Sequence, residues 1–153
     1  FVYPWGTFKS GADYSLKKPN GSRFCGPSTD EFIESEFKSI IKLYLQIGKV
    51  GYQPNKYPHS FISGTWLHAL NGKRRFVVLQ GNHRMAVLAH LNISSVAVRT
   101  SRLALRNIFE SEIEQWPLVA SGRCDPEHAQ KVFKLYFEEN GFHIANKMKR
   151  SIT

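Results

Sequence analysis

Apolar residues recur at helical spacing after Ser28, and this pattern predicts the first long helix of the chain. Ser28 and Glu31 have the spacing of a capping box, in which two side chains bond backbone amides at a helix start. Gly48 is predicted to end this helix, because glycine readily adopts the left-handed backbone angles of a helix C-terminus. The apolar stripe expected to face a core comprises Ile33, Phe37, Ile40, Tyr44 and Leu45.

Two segments rich in β-branched and aromatic residues, 61–67 and 75–80, predict a pair of strands. Asn71-Gly72 lies between them and is typical of a tight hairpin turn with positive φ. A short apolar helix is predicted at 85–91, ended by Asn92, and a further strand at 96–99. The central order of strand, strand, turn, helix, strand predicts an α+β fold with a small mixed sheet.

The two ends of the chain have different patterns. Residues 1–27 show no sustained period and predict an irregular arm, whereas helices are predicted at 103–115 and from the N-cap Asp125 to near Gly141. Pro126 supports the second helix because proline fits the first helical position. We therefore predict a single domain with an arm (1–27), a core (28–100) and a C-terminal helical extension (101–153).

Composition excludes a disordered chain, a collagen-like chain and a membrane-spanning protein. The 153 residues are 42% hydrophobic, which supplies a core, and no apolar run approaches the length of a membrane span. Cys25 and Cys124 lie far apart and outside any metal-binding motif. They suit a reducing cytosol, although one disulfide in an oxidising compartment also fits the sequence. We expect a cytoplasmic protein that does not contact a membrane.

The charge is strongly one-sided. Lys and Arg number 21 against 12 Asp and Glu, a formal net charge of +9, and no acidic residue occurs from Phe37 through Phe109. A positive segment of this kind attracts the phosphates of a nucleotide or of a nucleic acid. Surface solubility alone also explains such residues, and both interpretations stay open.

The segment Gly81-Asn82-His83-Arg84 lies between a predicted strand and a predicted helix. Free backbone amides at a helix start bind anions, and a glycine there lets a phosphate approach the main chain. Arg84 can add a bidentate contact and a full charge. His83 can donate to a phosphate oxygen or fix the turn by bonding a carbonyl. These four residues are the predicted phosphate-binding site.

Residues 76–91, with the strand expected after them, resemble the ParB/sulfiredoxin superfamily, whose members share a strand, a Gly-x-His-Arg or Gly-x-Arg-Arg turn and a short Ala-rich helix. The resemblance covers about residues 30–100. It implies that Gly81, Asn82, His83 and Arg84 hold nucleotide phosphates. The nucleotide is ATP in sulfiredoxins, CTP in ParB partition proteins, and ATP or ADP in free serine kinases.

Departures from the family pattern restrict the expected activity. Asn82 stands where sulfiredoxins have their nucleophilic cysteine, so sulfiredoxin activity is not expected. ParB partition proteins place a helix-turn-helix region after this core, and with only about fifty residues after Val98 a full partition apparatus is not expected. Gln80 replaces an aspartate found in many members, which leaves catalysis open and allows a regulatory ligand to bind without reaction.

Phosphoryl transfer needs a base for the attacking hydroxyl and usually Mg²⁺. Free serine kinases use a glutamate from the region before the turn, and the resemblance assigns this role to Glu34 or Glu36. Both glutamates also fit the solvated face of a helix. The predicted catalytic residues are Glu36, Glu34 and His83, with ATP or another nucleotide and Mg²⁺ as cofactors and no metal ligands predicted in the chain.

The leading hypothesis is a nucleotide-dependent phosphotransferase that acts on a small hydroxyl compound. The alternative is a nucleic-acid-binding or nuclease-like module, because the superfamily includes proteins described as nuclease-like and the net charge of +9 suits a polyanion. The sequence makes no prediction of the oligomeric state.

Overall fold

The structure, a computed structural model, describes residues 3–6, 28–56, 61–101 and 105–139. Helices and a four-stranded mixed sheet confirm the α+β class. None of the helices in these four ranges has both the length and the apolar character needed to cross a membrane. The elements are α1 (Asp30–Val50), β1 (Ile62–His68), β2 (Arg74–Gln80), α2 (Asn82–His90), β3 (Val98–Thr100), β4 (Asn107–Phe109), a 3₁₀ helix (Glu110–Gln115), α3 (Pro117–Ala120) and α4 (Pro126–Glu138).

Both predicted ends of α1 are wrong by a short distance. Thr29, not Ser28, is the N-cap, and its hydroxyl accepts a hydrogen bond from the Phe32 amide at 3.3 Å. The helix continues through Gly48 to Val50, and Gly51 closes it with a φ of 74°. The Gly51 amide donates to the Ile47 carbonyl at 2.8 Å, which satisfies one of the last helical acceptors.

The predicted hairpin between β1 and β2 is confirmed. Gly72 has a φ of 79°, the left-handed conformation that a turn of this kind requires. The Ala69 amide donates to the Lys73 carbonyl at 2.9 Å and closes the hairpin. Because the turn is tight, β1 and β2 are neighbours in the sheet.

One edge of β1 pairs in parallel with two short strands in succession. Its residues Ile62, Ser63 and Gly64 pair with β3, and its residues Trp66, Leu67 and His68 pair with β4. The sheet order is therefore β2-β1-β3, with β4 also bound to β1. The predicted strand at 96–99 is observed slightly later, as β3.

The prediction of a helix over 103–115 is wrong. Residues 107–109 form β4, and residues 110–115 form a 3₁₀ helix with a kink at Glu112. Ile108, inside the segment predicted to be helical, instead pairs with Leu67 and is 2% exposed. Parallel pairing with a distant strand overrides the local helical spacing here. Residues 102–104 lie outside the described residues.

The chain forms two compact units. Unit 1 contains α1, α2, β3 and residues 62–65 of β1, together with residues 78–80 of β2. Its buried apolar side chains include Ile47, Ile62, Val87 and Leu88. Unit 2 contains the rest of β1 and β2, together with β4, the 3₁₀ helix, α3, α4 and residues 3–6. The three-part division at residues 27 and 100 stays a prediction.

Unit 2 is built around aromatic side chains. Trp5 is 5% exposed, and its ring lies 5.3 Å from that of Trp116 and 5.9 Å from that of Phe133. The Leu118 amide donates to the Pro4 carbonyl at 3.2 Å, which ties residues 3–6 to α3. Of the predicted N-terminal arm, only these four residues are described, and they are packed into unit 2.

The predicted start of α4 is confirmed. Asp125 is the N-cap, and its carboxylate accepts a hydrogen bond from the His128 amide at 2.9 Å, ahead of Pro126 at the first helical position. The helix is buried at Ala129 and Phe133, which lie four residues apart on one face. The helix ends at Glu138, and Gly141, expected near its end, lies outside the described residues.

Candidate functional site

The predicted phosphate-binding turn forms the start of α2. Gly81 is the N-cap with a φ of 91°, and the helix begins at Asn82, earlier than its predicted start at residue 85. The Met85 amide donates to the Gly81 carbonyl at 2.9 Å, so the amides of Asn82, His83 and Arg84 precede this first helical bond. Within the described ranges, no side chain caps this helix start. The arrangement leaves backbone donors at the positive end of the helix dipole.

Glycine is required at position 81 for two reasons. Its positive φ is strained for other residues. A Cβ there would also lie 3.1 Å from Cγ1 of Ile62 and 3.2 Å from Nη1 of Arg84. The turn therefore packs directly against the beginning of β1.

Arg84 lies in the first turn of α2 and is half-buried. Its Nη1 donates to the Phe61 carbonyl at 3.3 Å. Across the described residues, no carboxylate forms an ion pair with this guanidinium. Because a neutral carbonyl holds the side chain, its positive charge is not neutralised and favours a bound anion.

A cavity of about 390 Å³ borders Arg84. It lies within unit 1, between the second half of α1 and the segment that follows this helix. The lining is mixed, with aliphatic side chains and two glutamine amides, and this composition suits an uncharged organic group. The lining residues are Leu43, Gln46, Ile47, Val50, Gly51, Tyr52, Gln53 and Arg84.

The structure brings two of the three predicted catalytic residues together. His83 Nε2 lies 3.7 Å from Glu36 Oε2, with the histidine side chain 51% exposed and the glutamate side chain 28% exposed. Glu36 reaches this position because α1 packs against α2. Glu34 instead pairs with Lys38 at 2.8 Å on an exposed part of α1. Of the two candidate glutamates, Glu36 is the one beside the turn.

Gln80, at the end of β2, takes part in a side-chain hydrogen bond. Its Oε1 accepts from the Ser63 hydroxyl of β1 at 3.3 Å. A neutral amide thus occupies the position just before the turn, where the resemblance expects an acid. Glu36, on a different element, is the acidic group recorded beside His83.

Sequence reasoning missed the role of Phe61. Its carbonyl accepts from Arg84, and its ring lies under the guanidinium of Arg99, 4.1 Å from the ring centroid. A main-chain acceptor leaves no signal in the sequence, so this anchor could not be inferred from residue type. Tyr52, which lines the cavity beside Arg84, accepts a hydrogen bond from the Ile62 amide at 2.9 Å through its hydroxyl.

In the described part of the chain, no group of three or more His, Cys, Asp or Glu side chains is arranged to hold a metal ion. Mg²⁺ commonly keeps several waters and is bound by one or two carboxylates together with substrate phosphates. The described residues supply no such cluster, so a Mg²⁺ ion here would be held mainly by phosphate oxygens and water.

No protein-family model, curated protein or solved structure matches this chain. The relation to the ParB/sulfiredoxin superfamily therefore stays a prediction, based on residues 76–91.

Proposed function

We propose that this protein binds a nucleotide at the start of α2 and transfers its terminal phosphoryl group to a small hydroxyl compound. One observation supports this above all: unit 1 combines a helix start that no described side chain caps with an acid–imidazole pair, Glu36 and His83. Anion binding and proton removal are the two tasks that the reaction requires.

The first task is to hold and neutralise the phosphates. The amides of Asn82, His83 and Arg84 donate to phosphate oxygens, and the dipole of α2 favours negative charge at the same point. The Arg84 guanidinium adds a full positive charge. The cavity beside Arg84 holds the uncharged part of the nucleotide.

The second task is the transfer itself. The Glu36 carboxylate takes the proton of the acceptor hydroxyl while that oxygen forms a bond to the terminal phosphorus. The bond between this phosphorus and its bridging oxygen breaks, and the electron pair leaves with the shortened nucleotide. His83, beside Glu36, donates a hydrogen bond to the transferred group, where negative charge must be stabilised.

Mg²⁺, if bound together with the nucleotide, would be held mainly by the phosphates and water, and it would supply positive charge that reduces the repulsion of the attacking oxygen. A nucleotide-dependent enzyme of this kind works in the cytoplasm, where ATP is available. Cys124, a free thiol in the structure, suits that reducing compartment.

Isothermal titration with ATP, ADP and CTP in the presence of Mg²⁺ tests the proposal. We expect binding of at least one nucleotide, and an affinity at least tenfold lower for Arg84→Ala. Arg75→Ala is the matched control, because Arg75 also donates to a backbone carbonyl, that of Phe137 at 3.5 Å, but lies in unit 2. No binding to any nucleotide, or equal losses in the two variants, would contradict the proposal.

The charge distribution supports a second candidate, a nucleic-acid-binding or nuclease-like module. A net charge of +9 and the acid-free segment from Phe37 through Phe109 suit a polyanion. Fluorescence anisotropy with short DNA and RNA, repeated at increasing salt, distinguishes the candidates. A steep loss of affinity with salt, without nucleotide binding, favours this module, and cleavage of the probe would identify a nuclease.

A further inference from the structure

Most of the apolar stripe of α1, which its spacing predicts to face a core, is instead exposed. Ile33, Phe37, Ile41 and Leu45 recur every four residues and are all exposed, with Phe37 62% and Leu45 63% exposed. Tyr44 is partly exposed as well, but its ring packs against that of His90 in α2 with the centroids 5.6 Å apart, so it lies on the side of the stripe nearest α2. A helix of 21 residues is about 31 Å long, so the stripe extends over much of that length. Single exposed apolar residues are ordinary, whereas a contiguous row indicates an interaction surface.

This apolar stripe is distinct from the candidate site. Glu36 and Ile47 lie on the side of α1 that packs against the rest of unit 1, since Glu36 contacts His83 and Ile47 is buried. With 3.6 residues per turn, Phe37 and Ile41 point about 100° or more away from Glu36 around the helix axis. A partner centred on Ile41 therefore approaches α1 from a different side than the Glu36–His83 pair.

The charge of α1 is divided along its length. All four of its acids lie in the first seven positions, Asp30 to Glu36, and all three of its lysines lie at or beyond Lys38. A second helix of the same sequence complements this pattern only when it runs in the opposite direction. Parallel pairing would bring acid against acid and lysine against lysine.

We propose that two copies of this chain form an antiparallel dimer through the apolar stripes of their α1 helices. A twofold axis near Ile41 places Ile41 against the partner's Ile41 and Phe37 against the partner's Leu45. An interface of this type requires a patch that is complementary to itself. The stripe meets this requirement in apolar contact and, through the divided charge, in electrostatics.

The charged residues that flank the stripe agree with the same pairing. Helical periodicity places Glu34, Lys38 and Lys49 on one flank. About the axis near Ile41, Glu34 lies opposite the partner's Lys49. Within one helix, Lys38 Nζ and Glu34 Oε1 form a salt bridge at 2.8 Å, so this flank carries charges of both signs. The inference does not depend on nucleotide binding.

Sedimentation velocity and light scattering over a hundredfold range of concentration measure the dimer directly. We expect the native chain to shift from monomer to dimer, and Phe37→Glu to raise the dissociation constant at least tenfold. Ser39→Glu is the control, because it adds the same charge at an exposed position on another face of α1 and is expected to leave dimerisation intact.

Charge reversal tests the direction of the pairing. Glu34→Lys alone and Lys49→Glu alone should each weaken the dimer, and the double variant should recover at least half of the lost association free energy. A monomer at every concentration overturns the proposal, including the case in which another part of the chain covers the stripe. A dimer unaffected by Phe37→Glu, or a double variant weaker than both single variants, also overturns it.

Discussion

The imidazole of His83 and the carboxylate of Glu36 face each other, with Nε2 and Oε2 separated by 3.7 Å. Glu36 comes from the first half of α1, and His83 comes from the first turn of α2. Their proximity joins an acidic group to a helix start that has no acidic residue of its own in its first turn. The packing of α1 on α2 therefore brings a carboxylate to the turn, whereas Gln80, the residue just before the turn, has a neutral amide.

Glu36→Gln should lower phosphoryl transfer by about 10²–10⁴-fold, because the amide cannot accept the hydroxyl proton. Nucleotide affinity should change little, since the amides of α2 and Arg84 are retained. Release of ADP from ATP measures the rate, first with water as the acceptor and then with small hydroxyl compounds. Glu31→Gln makes the same change on an exposed part of α1 and should leave the rate unaltered. A fully active Glu36→Gln protein would exclude this carboxylate as the base.

Gly81→Ala should destabilise the protein more than Gly72→Ala does. Both glycines have positive φ, and no atom of the described residues lies within 4 Å of a Cβ added at Gly72, so Gly72→Ala measures backbone strain of about 1–2 kcal/mol. The added Cβ at position 81 also meets Ile62, which costs about 1–3 kcal/mol more. Urea unfolding measures the free energy of unfolding of both variants. Equal losses would show that β1 shifts to accommodate the added methyl group at no cost.

Trp5→Ala should lower the free energy of unfolding by about 3–5 kcal/mol, because it removes the ring that contacts Trp116 and Phe133. Leu70→Ala is a control in the same unit, where the side chain is 71% exposed and the expected change is within about 0.5 kcal/mol. Thermal and urea unfolding of both variants measure the difference. A loss for Trp5→Ala no larger than the control value would mean that residues 3–6 contribute little to unit 2.

Stability should fall at alkaline pH through Tyr136. Burial raises the pKa of the Tyr136 hydroxyl above its ordinary value of 10.0, and the neighbouring Tyr3 adds to the rise. Above pH 10 the unfolded chain loses this proton while the folded chain keeps it, so the stabilisation is complete below pH 10 and decreases as the pH rises. Tyr136→Phe should reduce the slope of unfolding free energy against pH by up to one proton. An unchanged slope above pH 10 would contradict this assignment.

Local signals in the sequence were sufficient for the hairpin and for the start of α4. The conformation that Asn71-Gly72 favours and the cap that Asp125 supplies depend on neighbouring residues alone. The sequence predicted Ser28 as the N-cap of α1, and the structure has Thr29. Both residues carry a hydroxyl that can accept from a helix amide, and only the backbone angles choose between them.

Long-range contacts could not be predicted in the same way. Ile108 lies in a segment predicted to be helical, but it pairs with Leu67 where β4 runs parallel to β1, and this pairing depends on residues far away in the chain. The glutamates of α1 likewise gave two candidates, and the rotation of the packed helix brings Glu36 to His83. The four residues of the turn were identifiable because they are contiguous, whereas their partner Phe61 acts through its carbonyl.

The position of Trp5 affects how unit 2 forms during synthesis. Trp5 leaves the ribosome long before its ring partners on the other elements, Trp116, Phe133 and Tyr136. Domains fold as units once their residues have been made, so the hydrophobic centre of unit 2 cannot close until translation has passed α4. Until then, of the ring partners described for Trp5, only Tyr3 has been synthesised.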